Sequence, residues 1–505
     1  MNNLSPEQRV AYSKFVRGKN LFITGPGGTG KTKLIHRFTE YASLNHIPYQ
    51  VCAMTGCAAI LLGCKARTLH SWSGIKLAKG TKESVIESVL KNKRVCKSIK
   101  GVKLLIIDEV SMMSQKIFEI IDDLCRQVKG RPFAPFGGMQ VVFTGDFFQL
   151  PPVGSYHEPE TMNMCFESPL WDSVFDRENT VELKTIFRQN DPVYIDILSQ
   201  VRRGSLDNEH IERLRGYVRR EYNPDNHYGC APTKLFALRN KAEYINDLMF
   251  SKIDKPCYES KYTTCTTNTK YIDACTPIPA NVLRECHALN AAEVEKELET
   301  LTNSMQAEQV FQFKVGALVM CTKNISLETG ICNGTHGVII DILRAGEAHA
   351  VPIVQFANGV KMTMTPVAWQ SEVYPTISVH QIPLRLAWAL TIHKIQGATM
   401  DMAEMDIGHT VFEYGQIYVA LSRIKSLDGL YLLNFQPEKI KANPKVIAFY
   451  DRIQQQQQQQ QQEQDQDRIA TTESEAFSTI ESFEYVPEEI VAVKDPTIKI
   501  CRMPY

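Results

Sequence analysis

The stretch GPGGTGKT at 25–32 constrains this 505-residue chain more than any other. It follows the apolar run LFIT and precedes KLIHRFTEYAS, which carries a helical pattern. Strand, glycine-rich turn and helix in that order are the context in which GxxxxGK[ST] acts as a phosphate loop. Gly25, Pro26, Gly27, Gly28, Thr29 and Gly30 form the loop, whose backbone N–H groups converge on phosphate oxygens at a helix N-terminus. Lys31 adds a point charge for the outer phosphates and Thr32 a hydroxyl for Mg2+. The spacing predicts a nucleoside triphosphate site on a parallel α/β sheet.

KLLIIDEVSM places Asp108 and Glu109 at the end of a second apolar run, 77 residues beyond Lys31. In a phosphate-loop site the first acid holds Mg2+, directly or through water, and the second polarises the attacking water. Acids also end strands simply to cap the next helix; downstream of a phosphate loop, the pair argues for hydrolysis. A third run, MQVVFTGDFFQLPPVG (139–154), would end at the same edge of the sheet, where ligands of open α/β sheets bind. Asp146 and Gln149 then face the γ-phosphate, and Gln149, both donor and acceptor, can sense it. Taken alone, Asp146 serves equally well as a cap for the following turn, with the two prolines as strand breakers.

From Asn20 to Asp108 short apolar runs alternate with helical patterns, the rhythm of a parallel sheet wrapped by helices. KLFAL (234–238), LAWALTIH (386–393) and GLYLLNF (429–435) suggest a second α/β unit, divided between 191–254 and 381–450. Between them, 255–380 is Thr- and Cys-rich and then turns to short β-type segments, which reads as a mainly β insertion. Residues 75–100 form a basic excursion from the first unit, 1–190. Nine glutamines at 454–462 open an acidic tail, 451–505, expected to be a helical or disordered linker with an apolar end able to dock on a protein partner.

The tail carries 11 acids and 5 bases, which leaves the body with 45 acids and 51 bases despite a net charge of zero. A mildly basic body suits a polyanion partner weakly, and an ordinary enzyme with a solvated acidic end equally well. Fourteen cysteines without a CxxC pair argue against a zinc site and for reduced thiols, as in a cytosolic or nuclear protein. No apolar run approaches the ~20 residues that span a bilayer, so no membrane partner is expected. The first motif-like segment, LSPEQ, begins at Leu4 and leaves no room for a leader peptide.

LSPEQ, GPGGTGKT, AMTGCAA, TLHSWSGI, LLIIDEVSMMS, PFGGMQVVFTGDFFQLPPV, LKTIFRQ, KVGALVMCTKN, NGTHG, LTIHKIQGATMD and YVALSRIKSLDGL occur in this order from Leu4 to Phe435. In that succession the chain resembles a superfamily-one helicase of the PIF (petite integration frequency) family, and the PFGG-to-LPPV block is close to that family's own signature. The resemblance implies two RecA-like parallel-sheet motor domains. The first carries a small wedge insertion at 75–100 and the second a mainly β, SH3-like insertion, with a disordered C-terminal tail. It further implies that Gln8 reads the adenine edge, Lys31 and Thr32 hold phosphates and Mg2+, and Asp108 and Glu109 serve metal and water. Gln149 would sense the γ-phosphate, while Arg188 and Arg423 reach across from the second motor domain.

For single-stranded DNA the resemblance implicates Thr55, Gly56, His70, His393, Lys394 and Gln396, where hydroxyls and imidazoles allow close, sequence-tolerant contact. His70 and His393 sit in apolar contexts that suit a buried histidine as well. Phe147, Phe148 and Trp72 read as core side chains more than as stacking platforms. Two places depart from the family pattern: Ile395 replaces a small hydroxyl residue in HKIQG, and Cys125 and Lys129 alter a basic segment in CRQVKG. The implied activity is an ATP- and Mg2+-dependent DNA helicase moving 5′ to 3′ on single strands and opening forked or tailed duplex. The alternatives are a single-strand or RNA/DNA-hybrid remodelling ATPase and a non-catalytic DNA-binding protein; a small-molecule kinase has no use for LTIHKIQG or VALSR.

Overall fold

Apolar runs unbroken by polar residues suit strands covered on both faces, and the first sheet is built from them. A computed structural model of the protein describes residues 4–62, 64–223, 230–266, 278, 280–305, 307–326, 328–344, 350–371, 374–395, 398–456 and 458–459. Strands β1 (Leu21–Thr24), β2 (Tyr49–Ala53), β3 (Arg67–Thr68), β4 (Leu104–Asp108), β5 (Gln140–Thr144) and β6 (Thr180–Glu182) form a six-stranded sheet in the order β3-β2-β4-β5-β1-β6. All its pairings are parallel, and β1 and β4 are buried throughout. Ile23 lies beside Thr144, Ile107 beside Phe143 and Ala53 beside Asp108. The turns at Gly25, Thr55, Glu109 and Gly145 therefore leave from one carboxyl edge.

Helices cover both faces of this sheet. α1 (Pro6–Val16) starts in a capping box between Ser5 and Gln8, and α2 (Lys31–Leu44) starts straight from the phosphate loop. α3 (Gly56–Leu62) and α4 (Leu69–Ser73) leave the ends of β2 and β3. The 75–100 excursion is a helical pair, α5 (Lys82–Leu90) and α6 (Lys93–Gly101), capped by Thr81 and Asn92 and buried through Val85, Ile86, Val89 and Ile99. α7 (Gln115–Lys129) turns Phe118, Ile120, Ile121 and Leu124 inward and ends at Gly130 with φ +65°. Phe118 and Phe143 meet Trp171 of α8 (Trp171–Val174), with ring centroids 5.8–6.1 Å apart. Phe147 and Trp72 are core side chains, as expected.

The second lobe begins with α9 (Pro192–Arg203) and α10 (Asn208–Arg215), lays down β7 (Thr233–Phe236) and continues as α11 (Arg239–Ser251). A long insertion follows before the chain returns. Its strands are β8 (Tyr258–Lys261), β9 (Thr263–Thr266), β10 (Val310–Phe313), β11 (Leu318–Cys321), β12 (His336–Leu343), β13 (Val351–Phe356), β14 (Lys361–Thr363), β15 (Val367–Gln370), β16 (Ile377–Gln381) and β17 (Leu384–Leu386). They form the antiparallel sheets β14-β13-β12-β11-β17, β15-β16-β9 and β10-β8. The insertion is mainly β as read, with two helices in addition, α12 (Ala280–His287) and α13 (Ala291–Ser304).

β18 (Ala389–Thr391), β19 (Ala403–Ile407) and β20 (Leu430–Phe435) then join β7 in the order β18-β7-β19-β20, all parallel, with α14 (Gln416–Leu421) between the last two strands. The run LAWALTIH is thus divided: Leu386 closes the insertion sheet on β17, and only 389–391 returns to the motor sheet. Residues 454–456 and 458–459 of the glutamine run are helical; the tail beyond 459 lies outside the described residues. The cysteines whose side chains are described form no disulfide. Among the described residues no helix is long and apolar enough to cross a membrane.

Candidate nucleotide site and nucleic-acid interface

The carboxyl edge of the first sheet carries a cleft of about 530 Å3 that it shares with the second lobe. Gly27, Gly28, Thr29, Gly30, Lys31 and Thr32 line it, with Asp108, Glu109 and Gln149 from the neighbouring strand ends and Arg423 from the second lobe. Arg188, expected from the second lobe too, instead lies on the segment before α9 that packs on the loop, where Phe187 N donates to Gly28 O at 2.9 Å. All six proposed catalytic side chains thus converge on one space. The loop needs its glycines for close approach: a Cβ on Gly25 would lie 2.3 Å from Leu183 O, and one on Gly28, at φ +86°, 2.6 Å from Arg188 Cβ.

Lys31 donates from Nζ to Gly25 O at 2.7 Å and Pro26 O at 3.0 Å, and Thr29 Oγ1 donates to Pro26 O at 3.0 Å. Burial draws the Lys31 pKa down, while the carboxylates of Asp146, Glu109 and Asp108 hold it up. Burial pushes Asp108 up, opposed by the Thr144 hydroxyl that donates to it and by Lys31. Glu109 occupies the left-handed region at φ +56°, an uncommon conformation for a residue with a side chain and a frequent mark of functional turns.

Arg188 Nη1 donates to Ser422 O at 2.9 Å, and Arg423 Nε to Val419 O at 3.0 Å. Burial, and then the like charge of Arg423, lower Arg188 to about 9, still cationic at neutral pH. Burial lowers Arg423 too, with Glu109 the main opposing charge. Arg423 is buried and Arg188 half-buried, and both guanidiniums line the cleft with the phosphate loop, an arrangement suited to charge on a transferring phosphoryl group. Gln149 is 4% exposed, and its Oε1 meets no protein donor among the described residues.

Asp146 corrects the reading of that segment. It is fully buried away from the cleft wall, where Arg202 of α9 grips it from Nε at 3.0 Å and Nη2 at 2.9 Å. Its Oδ1 also accepts from Phe148 N at 3.2 Å, so Asp146 caps the turn and ties it to the second lobe. Phe148 lies under the Arg202 guanidinium, 4.5 Å from ring centroid to Cζ. Gln8 does not line the cleft: Nε2 donates to Thr29 O at 3.0 Å and Oε1 accepts from Ser5 N at 3.1 Å, so it braces the loop from behind.

The nucleic-acid candidates divide. Thr55 caps α3 through Ala58 N at 3.2 Å, Gly56 opens that helix, and His70 stands half-buried on α4, its pKa lowered by burial. These three occupy the β2 and β3 end of the edge that carries the phosphate loop. His393 and Lys394 fall in the turn Ile392–Ile395 that follows β18, but their side chains and Gln396 lie outside the described residues. Motif reading missed Phe187, Thr399 and Lys425, which also line the cleft, and Tyr418, whose oxygen accepts from Gly27 N at 2.9 Å. Adjacency to Arg188 and Arg423 was the only available signal for Phe187, Lys425 and Tyr418.

Two parallel-sheet lobes that share a phosphate-loop cleft, with acids from one and arginines beside the other, define a two-domain nucleotide-dependent motor fold. The sequence matches the PIF1-like helicase family over residues 3–211 and the 2B domain of DNA helicase Pif1 over 297–342. It is 32% identical to the ATP-dependent DNA helicase PIF1 of Danio rerio over 90% of this chain and 64% of that protein, and 31% identical to Pif1 of Bdellovibrio bacteriovorus over 89% and 92%. The crystal structure of Pif1 helicase from Candida albicans superposes with a TM-score of 0.67 at 31% identity, covering 90% of this chain and all of that one. Bacteroides Pif1 bound to single-stranded DNA gives 0.56 at 27%, covering 89% and 96%. The chain belongs to the PIF1-like helicase family. It spans a little under two thirds of the length of the vertebrate relatives it matches.

Proposed function

We propose that this protein is an ATP-dependent DNA helicase that moves 5′ to 3′ on single-stranded DNA and separates forked or tailed duplex. The observation that carries the reading is the convergence of Lys31, Asp108, Glu109, Gln149, Arg188 and Arg423 on one cleft between two lobes. Loop amides and Lys31 hold the phosphates, and Glu109 orients the attacking water and takes its proton. Arg188 and Arg423 stabilise the charge that builds on the transferring phosphoryl. The oxygen donors of Thr32 and Asp108 fit Mg2+, which takes one or two protein ligands alongside phosphates and water. Bound there, it would neutralise charge on the phosphates.

Thr55, Gly56 and His70 lie on the same sheet edge as the cleft, which supports a single-stranded DNA path running directly beside the nucleotide. The relative whose structure was determined on single-stranded DNA supports the same partner. In this reading α5 and α6 act as the wedge that parts the duplex, and the β insertion guides the strand. The C-terminal tail offers a protein docking segment, and the setting is DNA replication, repair, recombination or telomere maintenance in a nucleus, cytosol or virus-infected host.

Adding single-stranded DNA to the full chain is expected to raise ATP turnover at least tenfold. Lys31→Ala should abolish turnover and unwinding while retaining DNA binding. A basal rate indifferent to DNA, or unwinding that survives Lys31→Ala, would overturn the proposal. Matched DNA and RNA substrates with 5′ or 3′ overhangs separate it from the single-strand or hybrid remodelling alternative.

A further inference from the structure

Gly27 has one backbone N–H, and it donates to the phenolic oxygen of Tyr418 at 2.9 Å. The partners come from opposite lobes: Gly27 follows β1, and Tyr418 sits on α14. Tyr418 is buried, and burial pushes its phenol well above the ordinary range, so it remains a neutral hydroxyl at any pH the protein meets. Other bonds fix α14 in place: Tyr194 Oη donates to Leu421 O at 2.7 Å, and Arg188 Nη1 and Gln189 Nε2 donate to Ser422 O at 2.9 and 3.1 Å. A Cβ on Gly27 would lie 3.4 Å from Arg188 Nη1 and 3.5 Å from Ser422 Cβ, so this part of the loop is where the second lobe touches.

Amides at the start of α2 face the inner phosphates, as at any phosphate-loop helix. Gly27, further from that helix and next to Arg188, is placed for the outermost one. A single N–H cannot serve two acceptors at full strength. A phosphate oxygen at Gly27 must therefore draw the donor away from Tyr418.

We propose that Tyr418 is a positioning residue of the nucleotide site, whose hydroxyl and the terminal phosphate of the triphosphate compete for the Gly27 N–H. Binding the triphosphate then frees α14 from the loop and leaves Arg188 and Arg423 as the grip between lobes. Diphosphate, lacking the terminal group, leaves the Tyr418 bond in place. The inference rests on the nucleoside triphosphate reading above.

Tyr418→Phe keeps the ring and removes only the hydroxyl. Dissociation constants of a non-hydrolysable ATP analogue and of ADP, measured on the full chain by fluorescence titration, test the competition. The variant should bind the analogue about three- to tenfold more tightly than the unsubstituted protein, the size of one net hydrogen bond, with ADP unchanged within about twofold. Equal shifts for both nucleotides reduce Tyr418 to a packing residue, and weaker analogue binding makes it a direct phosphate ligand; either overturns the proposal. Failure of the unsubstituted protein to bind either nucleotide would instead overturn the triphosphate reading itself, and this inference with it.

Discussion

Arg202 and Asp146 are both buried, and the two nitrogens that reach the carboxylate leave neither charge exposed to water. Glu182 adds a second carboxylate 3.7 Å from Arg202 Nη1. Buried pairs of this kind add little net stability over apolar substitutes, but removing one partner strands the other charge. Arg202→Met is therefore expected to lower unfolding free energy by about 3–5 kcal/mol in urea titrations. Asp146→Asn in the same background should recover part of that loss, the mark of coupling in a double-mutant cycle. A loss under about 1 kcal/mol for Arg202→Met would mean the pair is not holding the turn.

Sequence separation decided what was readable at this scale. Lys31, Asp108 and Glu109 declare themselves because their residue types and strand-end positions admit few uses. Asp146 has the same type and the same kind of position, yet its partner lies 56 residues away on α9. No local signal separates a carboxylate facing a phosphate from one facing an internal guanidinium.

Among the strands, β12 carries a histidine whose environment makes it a pH-sensitive point. His336 is 1% exposed, its Nε2 meets no partner among the described residues, and burial lowers its pKa to about 4 against the attraction of Asp401. The unfolded chain, with an ordinary value of about 6.5, binds this proton more readily than the folded one. Its stabilising contribution is complete above pH ~6.5 and is lost as pH falls toward 4. Between pH 7.5 and 5 the unfolding free energy should drop by about 2 kcal/mol from this group alone. His336→Asn should flatten that part of the urea-midpoint profile; an unaltered slope would assign it to other groups.

Elements were legible where burial is two-sided and obscure where charges are neutralised inside the fold. LFIT, LLIID and QVVFT announce parallel strands. AEMDI, which becomes β19, does not, because Glu404 and Asp406 look out of place until Lys234 and Lys241 are seen beside them. α13 had a readable start, with Asn290 and Glu293 forming a capping box. The surrounding β-type segments obscured it, and no nearby motif fixed the insertion's edge at β17.

The two excursions, distant in sequence, meet in the folded molecule. Arg94 of α6 lies 3.5 Å from Glu293 of α13, and its guanidinium stands 5.4 Å from the ring centroid of Tyr374. α13 also lies against α3, the helix opened by Gly56. The ion pair is half-exposed on both sides and so contributes under about 1 kcal/mol. Its consequence is geometric: the helical pair of the first lobe and the insertion of the second close over the edge where Thr55 and Gly56 lie. In the reading proposed above, a strand bound at that edge lies beside both excursions. Arg94→Glu sets like charges against Glu293 and should loosen the closure without touching the nucleotide cleft. ATP turnover on single-stranded DNA should stay within about twofold and stability within about 1 kcal/mol, while the unwinding rate on a forked duplex falls several-fold. Equal unwinding by the variant would show that the contact plays no part in strand separation. A parallel loss of both activities would place its effect on DNA binding instead.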